Sequence, residues 1–459
     1  MSESQGIDSV NSVRIRSNYL VTNRYGCFAS LSSQEYASLM RNQLDDKLYS
    51  KLQDAGIVMT SKVAQLVQDK NQSLFGGTSL HIIIVTLRCN QCCIYCHSAS
   101  KHETAEGYDM DEETARKTVD FIFQTPSEAI NIEFQGGEPL LNFPIIKYIV
   151  QYAREKNLQF RKKLHFSLVT NLTLMNDDIL QFLVKENMGI CTSLDGPKHI
   201  HDANRKYLDS RGSYDDVVRW IKVIMKNHPH RLNALTVVTR YSLDHAKDVV
   251  DELVSHGFKK IWFKPANFLG FAMGSWNKVG YSPERYVEFY KGCLDHIVMD
   301  NIPVRDIFTT FILKKILLQE EPNFLDLQSP CGAAIGQLAY RYDGVVYACD
   351  EGRMVPDDVF RLGTVDQTYR DIMTSPQTCS LICASINDLY LCDRCVFKPY
   401  CGLCPVCNYT SQGTLIPKLP LDSRCTILKG IFTYIFDKLL FEPEFSQRFK
   451  DWVDTKNQI

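Results

Sequence analysis

Between residues 81 and 265, short apolar runs alternate with longer stretches whose apolar residues recur at helical spacing. The apolar runs predict strands at His81–Leu87, Ala129–Gln135, Leu164–Asn171, Gly189–Leu194, Leu232–Thr239 and Lys260–Pro265. The intervening stretches predict helices at Asp111–Gln124, Asn142–Lys156, Asp177–Glu186, Tyr214–Lys226 and Leu243–His256. Strands that alternate with helices in this way indicate βα units around a parallel sheet, which is an α/β fold.

The residues on either side of this region follow other patterns. Near the N-terminus, extended runs at Val13–Arg16, Tyr19–Thr22 and Cys27–Leu31 precede two helical stretches, an order that predicts a small winged-helix-like unit. Beyond the alternating region, Leu338–Cys349 predicts a hairpin, because two alternating strands flank an Asp-Gly turn. A last helical stretch follows Cys425.

Composition narrows the class of protein. The chain has 459 residues, enough for two or three domains, and its 51 basic and 53 acidic residues nearly balance. This balance argues against a nucleic-acid-binding surface. No apolar run is long enough for a membrane span, and the polar N-terminus is unlike a signal peptide. We therefore expect a cytoplasmic protein with no membrane partner, in which the 17 cysteines are reduced and available for metal ligation.

A cysteine loop directly follows the first predicted strand. Cys89, Cys93 and Cys96 have the spacing C-x3-C-x2-C. Thiolates are soft ligands for iron–sulfur clusters, and three of them can bind three corners of a four-iron cube and leave the fourth iron open. The alternatives are a zinc site or a buried group of reduced thiols. Structural zinc sites usually have paired C-x2-C knuckles and four ligands, whereas this loop has a different spacing and only three ligands. Cys92 lies between the ligand positions and is expected to have no ligand role.

This loop, with Tyr95 just before its third cysteine, resembles that of the radical S-adenosylmethionine (SAM) superfamily. The resemblance implies a partial (β/α)6 TIM-like barrel and a [4Fe–4S] cluster whose open iron binds the amino and carboxylate groups of SAM. It also implies an external low-potential electron donor, whose electron allows SAM to be cleaved to a 5′-deoxyadenosyl radical. In barrels of this type the chemistry lies at the carboxyl ends of the strands.

Further motifs follow the second, third and fourth predicted strands. Gly136-Gly137-Glu138-Pro139 resembles the superfamily's GGEP motif, which implies that its backbone and Glu138 bind the amino group of SAM. Thr170-Asn171 stands where the family often reads Thr-Asn-Gly, with Leu172 in place of the glycine. The resemblance makes both motifs part of the cofactor site.

The fourth strand leads into Ser193-Leu-Asp195-Gly-Pro, followed by His201 and Arg205. The pattern is similar to one in the peptide- and sulfatase-modifying branch, and it implies that Ser193 and Arg205 contact the carboxylate and ribose of SAM. A guanidinium suits a carboxylate because it binds it bidentately. Asp195 is either a turn former or a cofactor contact, and His201 is expected to be structural. Later strand ends offer candidate pocket residues: Arg240, Lys264 and Asn267.

The C-terminal cysteines form a second pattern. Cys331, Gly344 and Cys349 come first, and Cys392-x2-Cys395-x5-Cys401-x2-Cys404 and Cys425 follow. This pattern resembles the SPASM domain, except that Cys404 stands one residue early and Pro405 takes the expected place. The resemblance implies one auxiliary four-iron cluster on Cys392, Cys395, Cys401 and Cys425, and another on Cys331, Cys349 and Cys404. The fourth ligand of the latter is open: the site lacks one, has an unusual one, or uses Cys407, Cys379 or Cys383. A pair of zinc ribbons is the alternative for the whole region.

Asp350 directly follows Cys349. In the anaerobic sulfatase-maturase branch, the aspartate at this place is the base that deprotonates the radical-bearing substrate. A carboxylate in a closed pocket is a suitable proton acceptor. Asp350 is therefore either the catalytic base or part of the charged turn Asp350–Arg353.

Four segments carry a resemblance of the whole chain to one group of enzymes: Tyr19–Gly26, Thr86–Cys89, Glu133–Asn142 and Pro399–Val406. With them, the chain most resembles the His-Xaa-Ser system radical maturases. We predict an N-terminal domain (1–75), a radical SAM barrel (76–310), a SPASM domain (325–430) and a helical C-terminal segment (431–459). The expected function is radical modification of a ribosomally made precursor peptide or small protein, with oxidative crosslinking as the leading reaction and formylglycine formation as the alternative. A degenerate binding scaffold is the non-enzymatic alternative. The N-terminal domain either binds the precursor by strand addition or caps the barrel.

Overall fold

The structure is a computed structural model that describes residues 9–58, 65, 68, 74 and 76–454. The predicted domain boundary at residue 75 lies outside the described residues. The N-terminal unit consists of β1 (Val10–Ile15), β2 (Asn18–Asn23), β3 (Phe28–Leu31), α1 (Ser33–Met40) and α2 (Asp46–Asp54). Its strands form an antiparallel sheet in the order β1-β2-β3. Ser32 and Glu35 form a capping box at the start of α1, which satisfies free N–H groups of the first turn.

The N-terminal unit contacts the C-terminal cysteine region. The Thr22 hydroxyl donates to the Val396 carbonyl at 2.8 Å, and the Tyr400 hydroxyl donates to the Gly26 carbonyl at 2.9 Å. Both bonds are buried, and Tyr400 has no exposed surface. The residues that these bonds fix lie between Cys395 and Cys401, so the N-terminal sheet supports the loop that carries the last group of cysteines.

The central sheet contains six parallel strands in the order in which they occur along the chain. They are β4 (Leu80–Thr86), β7 (Ala129–Gly136), β8 (Lys163–Val169), β9 (Gly189–Ser193), β10 (Leu232–Val238) and β12 (Phe263–Pro265). Two short strands, β5 (Arg88–Cys89) and β6 (Lys101–His102), pair beside β4. Because each new strand adds to the same side, the sheet winds in one direction, as the sheet of a partial barrel does.

Helices connect the strands of this sheet. They are α3 (Glu112–Ile122), α4 (Phe143–Phe160), α5 (Asp177–Lys185), α6 (Lys198–Asn204), α7 (Tyr214–Asn227), α8 (Ala246–Ser255), α9 (Phe271–Val279) and α10 (Pro283–Met299). The apolar faces of the strands and helices form one large core, in which residues such as Ile83, Phe134 and Ile221 have no exposed surface. All the predicted helices of the barrel are present, with ends that differ by a few residues.

One predicted strand is wrong in part. The run Lys260–Pro265 forms two strands rather than one, because β11 (Lys260–Ile261) pairs with β13 (Arg305–Asp306) outside the central sheet. The Trp262 carbonyl between β11 and β12 still accepts a hydrogen bond from the Thr236 amide at 3.0 Å. The chain changes partner at Trp262, a change that an uninterrupted apolar run does not reveal.

The predicted hairpin at residues 338–349 is present, but it extends the barrel sheet. Its first strand, β14 (Gln337–Tyr340), pairs in parallel with β4, and β15 (Val345–Tyr347) and β16 (Arg361–Thr364) follow in antiparallel order. The buried His81 ring lies 2.7 Å from the Tyr340 hydroxyl and joins the two parts. The C-terminal region is therefore continuous with the barrel through backbone hydrogen bonds.

The remaining C-terminal elements are helical. They are α11 (Ile307–Leu313), α12 (Tyr369–Met373), α13 (Pro376–Ala384), α14 (Tyr390–Asp393), α15 (Pro405–Gln412), α16 (Ser423–Phe441) and α17 (Pro443–Val453). Helix α16 packs against α10 of the barrel and against α17. Among the described residues, no helix has both the length and the apolarity that a membrane crossing requires.

The buried carboxylate of Asp306 links α10 to α11, and its contribution to stability can be tested. The Tyr290 hydroxyl donates to Asp306, whose side chain also caps α11 through the Thr309 amide. Tyr290→Phe removes the donor and leaves the carboxylate partly unsatisfied, so we expect the free energy of unfolding to fall by roughly 1–3 kcal/mol. Calorimetry should show a lower thermal midpoint. Tyr148→Phe, at a half-buried tyrosine that stacks on Tyr152, is the control; equal midpoints for both variants would contradict the role of Asp306.

Candidate functional site

The three cysteines of the first loop lie together beyond the carboxyl end of β4. The thiols of Cys89, Cys93 and Cys96 lie close enough to interact electrostatically. Burial raises the pKa of the Cys93 thiol to about 12, and burial and the neighbouring thiols raise that of Cys89 further. The Cys92 thiol instead donates to the Tyr207 carbonyl at 3.3 Å and is exposed. The loop therefore brings together the three predicted ligands and turns Cys92 toward another segment.

Asp195 joins this loop to the end of β9. Its carboxylate, which has no exposed surface, accepts a hydrogen bond from the Tyr95 hydroxyl at 2.7 Å and one from Arg205 Nε at 3.1 Å. Arg205 also lies over the Tyr95 ring, with its guanidinium carbon 5.1 Å from the ring centre, and donates to the Cys93 sulfur at 3.8 Å. Asp195 is thus a buried partner of two predicted site residues. Ser193, the last residue of β9, is half-buried.

The two glycines at the end of β7 lie against the backbone that precedes Cys89. The Gly137 amide donates to the Thr86 carbonyl at 2.9 Å, and the Glu138 amide donates to the Arg88 carbonyl at 2.7 Å. A Cβ atom on Gly136 would lie 2.5 Å from the Thr86 carbonyl oxygen, and one on Gly137 would lie 2.2 Å from that of Arg88. Only glycine permits this approach without displacing one backbone segment.

Glu138 connects the second and third strand ends. Its buried carboxylate accepts hydrogen bonds from the Thr170 hydroxyl at 2.6 Å and the Asn171 amide at 2.8 Å. Burial raises its pKa to about 7, against the opposing effect of these hydrogen bonds. Pro139 follows as the first residue of a short 3-10 helix, Pro139–Asn142. Glu138 therefore holds neighbouring turns of the sheet edge together.

Asn171 continues this network to the cysteine loop. Its side-chain amide donates to the Asn90 side chain at 2.9 Å, and Asn90 directly follows Cys89. Leu172, in place of the family's usual glycine, has φ +62°. The left-handed conformation that glycine adopts readily is therefore kept here by a leucine whose side chain is fully buried.

Asp350 lies beside the same loop. Arg353 Nε donates to its carboxylate at 2.9 Å, and the His97 ring lies 3.9 Å from it. Arg353 also donates to the Ser98 hydroxyl at 3.2 Å. Burial lowers the pKa of His97 to about 4, so this ring is neutral at pH 7. The structure thus brings Asp350 within reach of residues that immediately follow Cys96.

The other candidate pocket residues have different surroundings. Lys264 pairs with Glu351 at 2.9 Å, and this ion pair lowers the pKa of Glu351 to about 2. Arg240 donates to the Gly280 carbonyl at 3.0 Å and thus holds the link between α9 and α10. His201 is fully buried and lies 3.0 Å from the Ser213 hydroxyl.

The C-terminal cysteines form two groups. The thiols of Cys331, Cys349 and Cys404 interact electrostatically and line one small cavity. The second group lines another cavity and consists of Cys392, Cys395, Cys401 and Cys425. The two groups match the two sets that the sequence pattern implies. Cys379 and Cys383 are exposed on α13, and Cys407 lies beside Cys404.

A large cavity, open to solvent, separates the barrel from these cysteines. Its barrel wall includes Lys264, Asn267 and Trp276, and its opposite wall includes Cys404 and Cys407. Most of the lining is aromatic or aliphatic. Helix α9 joins this cavity to the first cysteine loop, because the Phe271 amide donates to the Cys96 carbonyl at 2.8 Å.

The donor set fits iron–sulfur clusters. Within the described part of the chain, no three Cys, His, Asp or Glu side chains converge closely enough to hold a single metal ion. In a four-iron cluster each thiolate binds a different iron, so its ligands stand further apart than those of one zinc ion. Three thiols in the first loop and three or four in each C-terminal group are suitable ligand sets for such clusters.

Several residues of this site were missed at the sequence level. Three of them lie next to or close to a predicted cysteine ligand in the sequence: Asn90, His97 and Arg353. This closeness in sequence was the signal that could have indicated them. Arg424 precedes Cys425 and lines both the large cavity and that of the second cysteine group. Its position between the two groups depends on the packing of α16, which the sequence pattern does not give.

The close approach at Gly137 generates a prediction. Gly137→Ala places a methyl group against the Arg88 carbonyl, so the backbone before Cys89 must move and cluster assembly in the loop should fail. We expect iron analysis to show a loss of about four irons per chain. Gly274→Ala, where a Cβ meets no atom within 4 Å, is the matched control and should keep its iron. Full iron content in Gly137→Ala would contradict the geometry.

A model of the radical SAM superfamily matches residues 83–262. The cysteine-type anaerobic sulfatase-maturating enzyme of Clostridium perfringens (strain 13 / Type A) is 27% identical over 366 residues, which cover 77% of this chain and 94% of the relative.

Two groups of solved structures share the fold. Native anSMEcpe with bound AdoMet has a TM-score of 0.69 at 23% identity and covers 82% of this chain and 99% of its own. Streptococcus suis SuiB bound to precursor peptide SuiA has a TM-score of 0.58 at 12% identity, with coverage of 90% and 98%. The segment that the superfamily model matches, residues 83–262, contains the first cysteine loop and the glycine motif. The chain therefore contains a radical SAM domain and is homologous to the anaerobic sulfatase-maturating enzymes. This domain implies SAM and a [4Fe–4S] cluster as its cofactors.

Proposed function

We propose that this enzyme modifies a residue of a peptide or small protein by hydrogen abstraction. The observation that carries the proposal is the large cavity between the barrel and the C-terminal cysteines, which α9 connects to the first cysteine loop. It is open to solvent and lined by Trp262, Phe268 and Trp276 among other apolar residues. A side chain presented by a peptide would enter it, while the rest of the peptide stays outside. The relatives support this: one is named as acting on sulfatases, and another is solved with a precursor peptide.

Cys89, Cys93 and Cys96 would hold the SAM-cleaving cluster. When bound, this cluster and SAM supply a 5′-deoxyadenosyl radical. The chain's own contribution is to fix the loop: Asp195 orients Tyr95 and Arg205, and Gly136 and Gly137 let the backbone of β7 reach the loop. In our proposal, Glu138, Pro139, Asn171 and Ser193 complete the SAM site at the neighbouring strand ends.

Asp350 is our candidate for the residue that receives the substrate proton. Its carboxylate is buried, and Arg353 orients it from one side while the neutral His97 ring lies on the other. A buried carboxylate with one cationic partner keeps an oxygen available as an acceptor. The ion pair with Arg353 also makes Asp350 part of the charged turn Asp350–Arg353. A carboxylate in this turn can still accept a proton, so the structural and the catalytic role are compatible.

The two C-terminal groups of thiols would hold auxiliary clusters. Oxidation of the substrate releases electrons that must leave the cavity, and iron–sulfur clusters provide electron transfer. Cys404 lines the large cavity as well as that of the first group, and Arg424 lies between the two groups. The second group lies beside the N-terminal sheet, and in our proposal it exchanges electrons with an external partner.

Oxidative crosslinking of a ribosomally made precursor is the leading reaction. It is supported by the N-terminal unit, in which β3 pairs only with β2 among the described strands and so offers an edge for strand addition. Formylglycine formation is the second candidate. Homology to the sulfatase-maturating enzymes and the position of Asp350 favour it.

Asp350→Asn tests the proposed base. The substitution keeps the size of the side chain but removes its basicity, so 5′-deoxyadenosine should still form while modified peptide falls by about 10²-fold or more. The assay uses reduced enzyme, SAM, the Cp18Cys peptide and short peptides encoded by neighbouring reading frames, with both products followed by mass spectrometry.

Asp358→Asn is the control for this assay, because the Asp358 side chain is 79% exposed in the same region. It should behave as the unmodified enzyme. A loss of two hydrogens from the peptide identifies a crosslink, and conversion of a cysteine to formylglycine identifies the second candidate. Normal peptide modification by Asp350→Asn would remove Asp350 from the mechanism, and a lack of modification of every peptide by the unmodified enzyme would contradict the proposed function.

A further inference from the structure

The first C-terminal group has three thiols where a four-iron cluster has four corners. Cys331, Cys349 and Cys404 line one small cavity. The backbone around them is fixed, since the Cys331 amide donates to the Ser385 hydroxyl at 2.9 Å and the Gly352 amide donates to the Cys349 sulfur at 3.2 Å. Three positioned thiols leave one iron without a protein ligand, unless another side chain reaches it.

Cys407 is the nearest thiol to this group. Cys404 is the N-cap of α15, and Cys407 lies in the first turn of that helix, with its amide donating to the Cys404 sulfur at 3.5 Å. The N-terminus of a helix favours thiolates because its free amides carry partial positive charge.

The rival ligands are engaged elsewhere or point away. Cys379 and Cys383 are exposed on α13. Glu351 pairs with Lys264 at 2.9 Å, and Asp326 lies 3.6 Å from Arg424. Both are also hard oxygen ligands, whereas iron–sulfur clusters favour thiolates. Among the described residues near the group, this leaves Cys407.

We propose that Cys407 is the fourth ligand of the cluster held by Cys331, Cys349 and Cys404. This inference rests on the auxiliary clusters of the proposed function. It explains the departure from the family pattern: Cys404 stands one residue early because it caps α15, and Cys407 provides a second thiol one turn of chain later.

The proposal has a consequence for the substrate. Cys404 and Cys407 both line the large cavity. With both bound, every iron of this cluster has a protein thiolate, and the substrate cannot bind to iron directly. The cluster then serves electron transfer only, and the substrate is held by the apolar walls of the cavity and by its charged residues.

The test uses the full-length chain without the three cysteine ligands of the first loop. Cys89, Cys93 and Cys96 are changed to alanine, so that only the C-terminal clusters contribute to the spectra. This parent should hold about eight irons per chain, and the electron paramagnetic resonance spectrum of its reduced clusters should not change when cyanide is added. In the same background, Cys407→Ala should change its spectrum with cyanide, because one iron is now open to exchange.

Two further variants make the result specific. Cys407→Ser keeps the size of the side chain but replaces the soft ligand, and should shift the reduction potential of one cluster. Cys379→Ala is the matched control and should behave as the parent. Circular dichroism checks that each variant is folded.

The outcomes separate the two proposals. A parent that holds about eight irons and responds to cyanide, or a Cys407→Ala spectrum identical to that of the parent with and without cyanide, overturns the assignment of Cys407 alone. A parent that holds no iron overturns the auxiliary clusters of the proposed function, and this inference with them.

Discussion

The contact between the end of β7 and the backbone that precedes Cys89 is the constraint on which the site depends. Two glycines allow amides 137 and 138 to donate to the carbonyls of Thr86 and Arg88. This contact fixes where the cysteine loop leaves the sheet. Asp195 then fixes the loop from the other side through Tyr95 and Arg205. The chain's own hydrogen bonds therefore set the position of the loop.

The second constraint is the connection between the barrel and the C-terminal region. They share one sheet through the pairing of β14 with β4. The ion pair of Lys264 with Glu351 and the hydrogen bond from Arg353 to the Ser98 hydroxyl also join them. The cavity that we assign to the substrate lies between these parts. Its charged residues therefore come from both, and neither part alone forms the proposed active site.

Much of this arrangement follows from sequence patterns, since a cysteine spacing and a glycine turn each impose a local geometry. The parallel strands and their helices were predicted because apolar periodicity reports directly on burial. The change of partner at Trp262 and the extension of the sheet by β14 were not, because pairing between distant strands leaves no local pattern. The network around Asp195 was missed for the same reason, and Leu172 keeps a turn that its residue type does not suggest. The contact of the N-terminal sheet with the last cysteine loop is also a long-range feature.

The central claim is that Cys89, Cys93 and Cys96, and not Cys92, hold the cluster that cleaves SAM. The most direct measurement compares Cys92→Ala with Cys93→Ala after anaerobic reconstitution and low-potential reduction with SAM. We predict that Cys92→Ala forms 5′-deoxyadenosine at the rate of the unmodified enzyme and that Cys93→Ala forms none. Cleavage by Cys93→Ala, or its loss in a folded Cys92→Ala, would contradict the account.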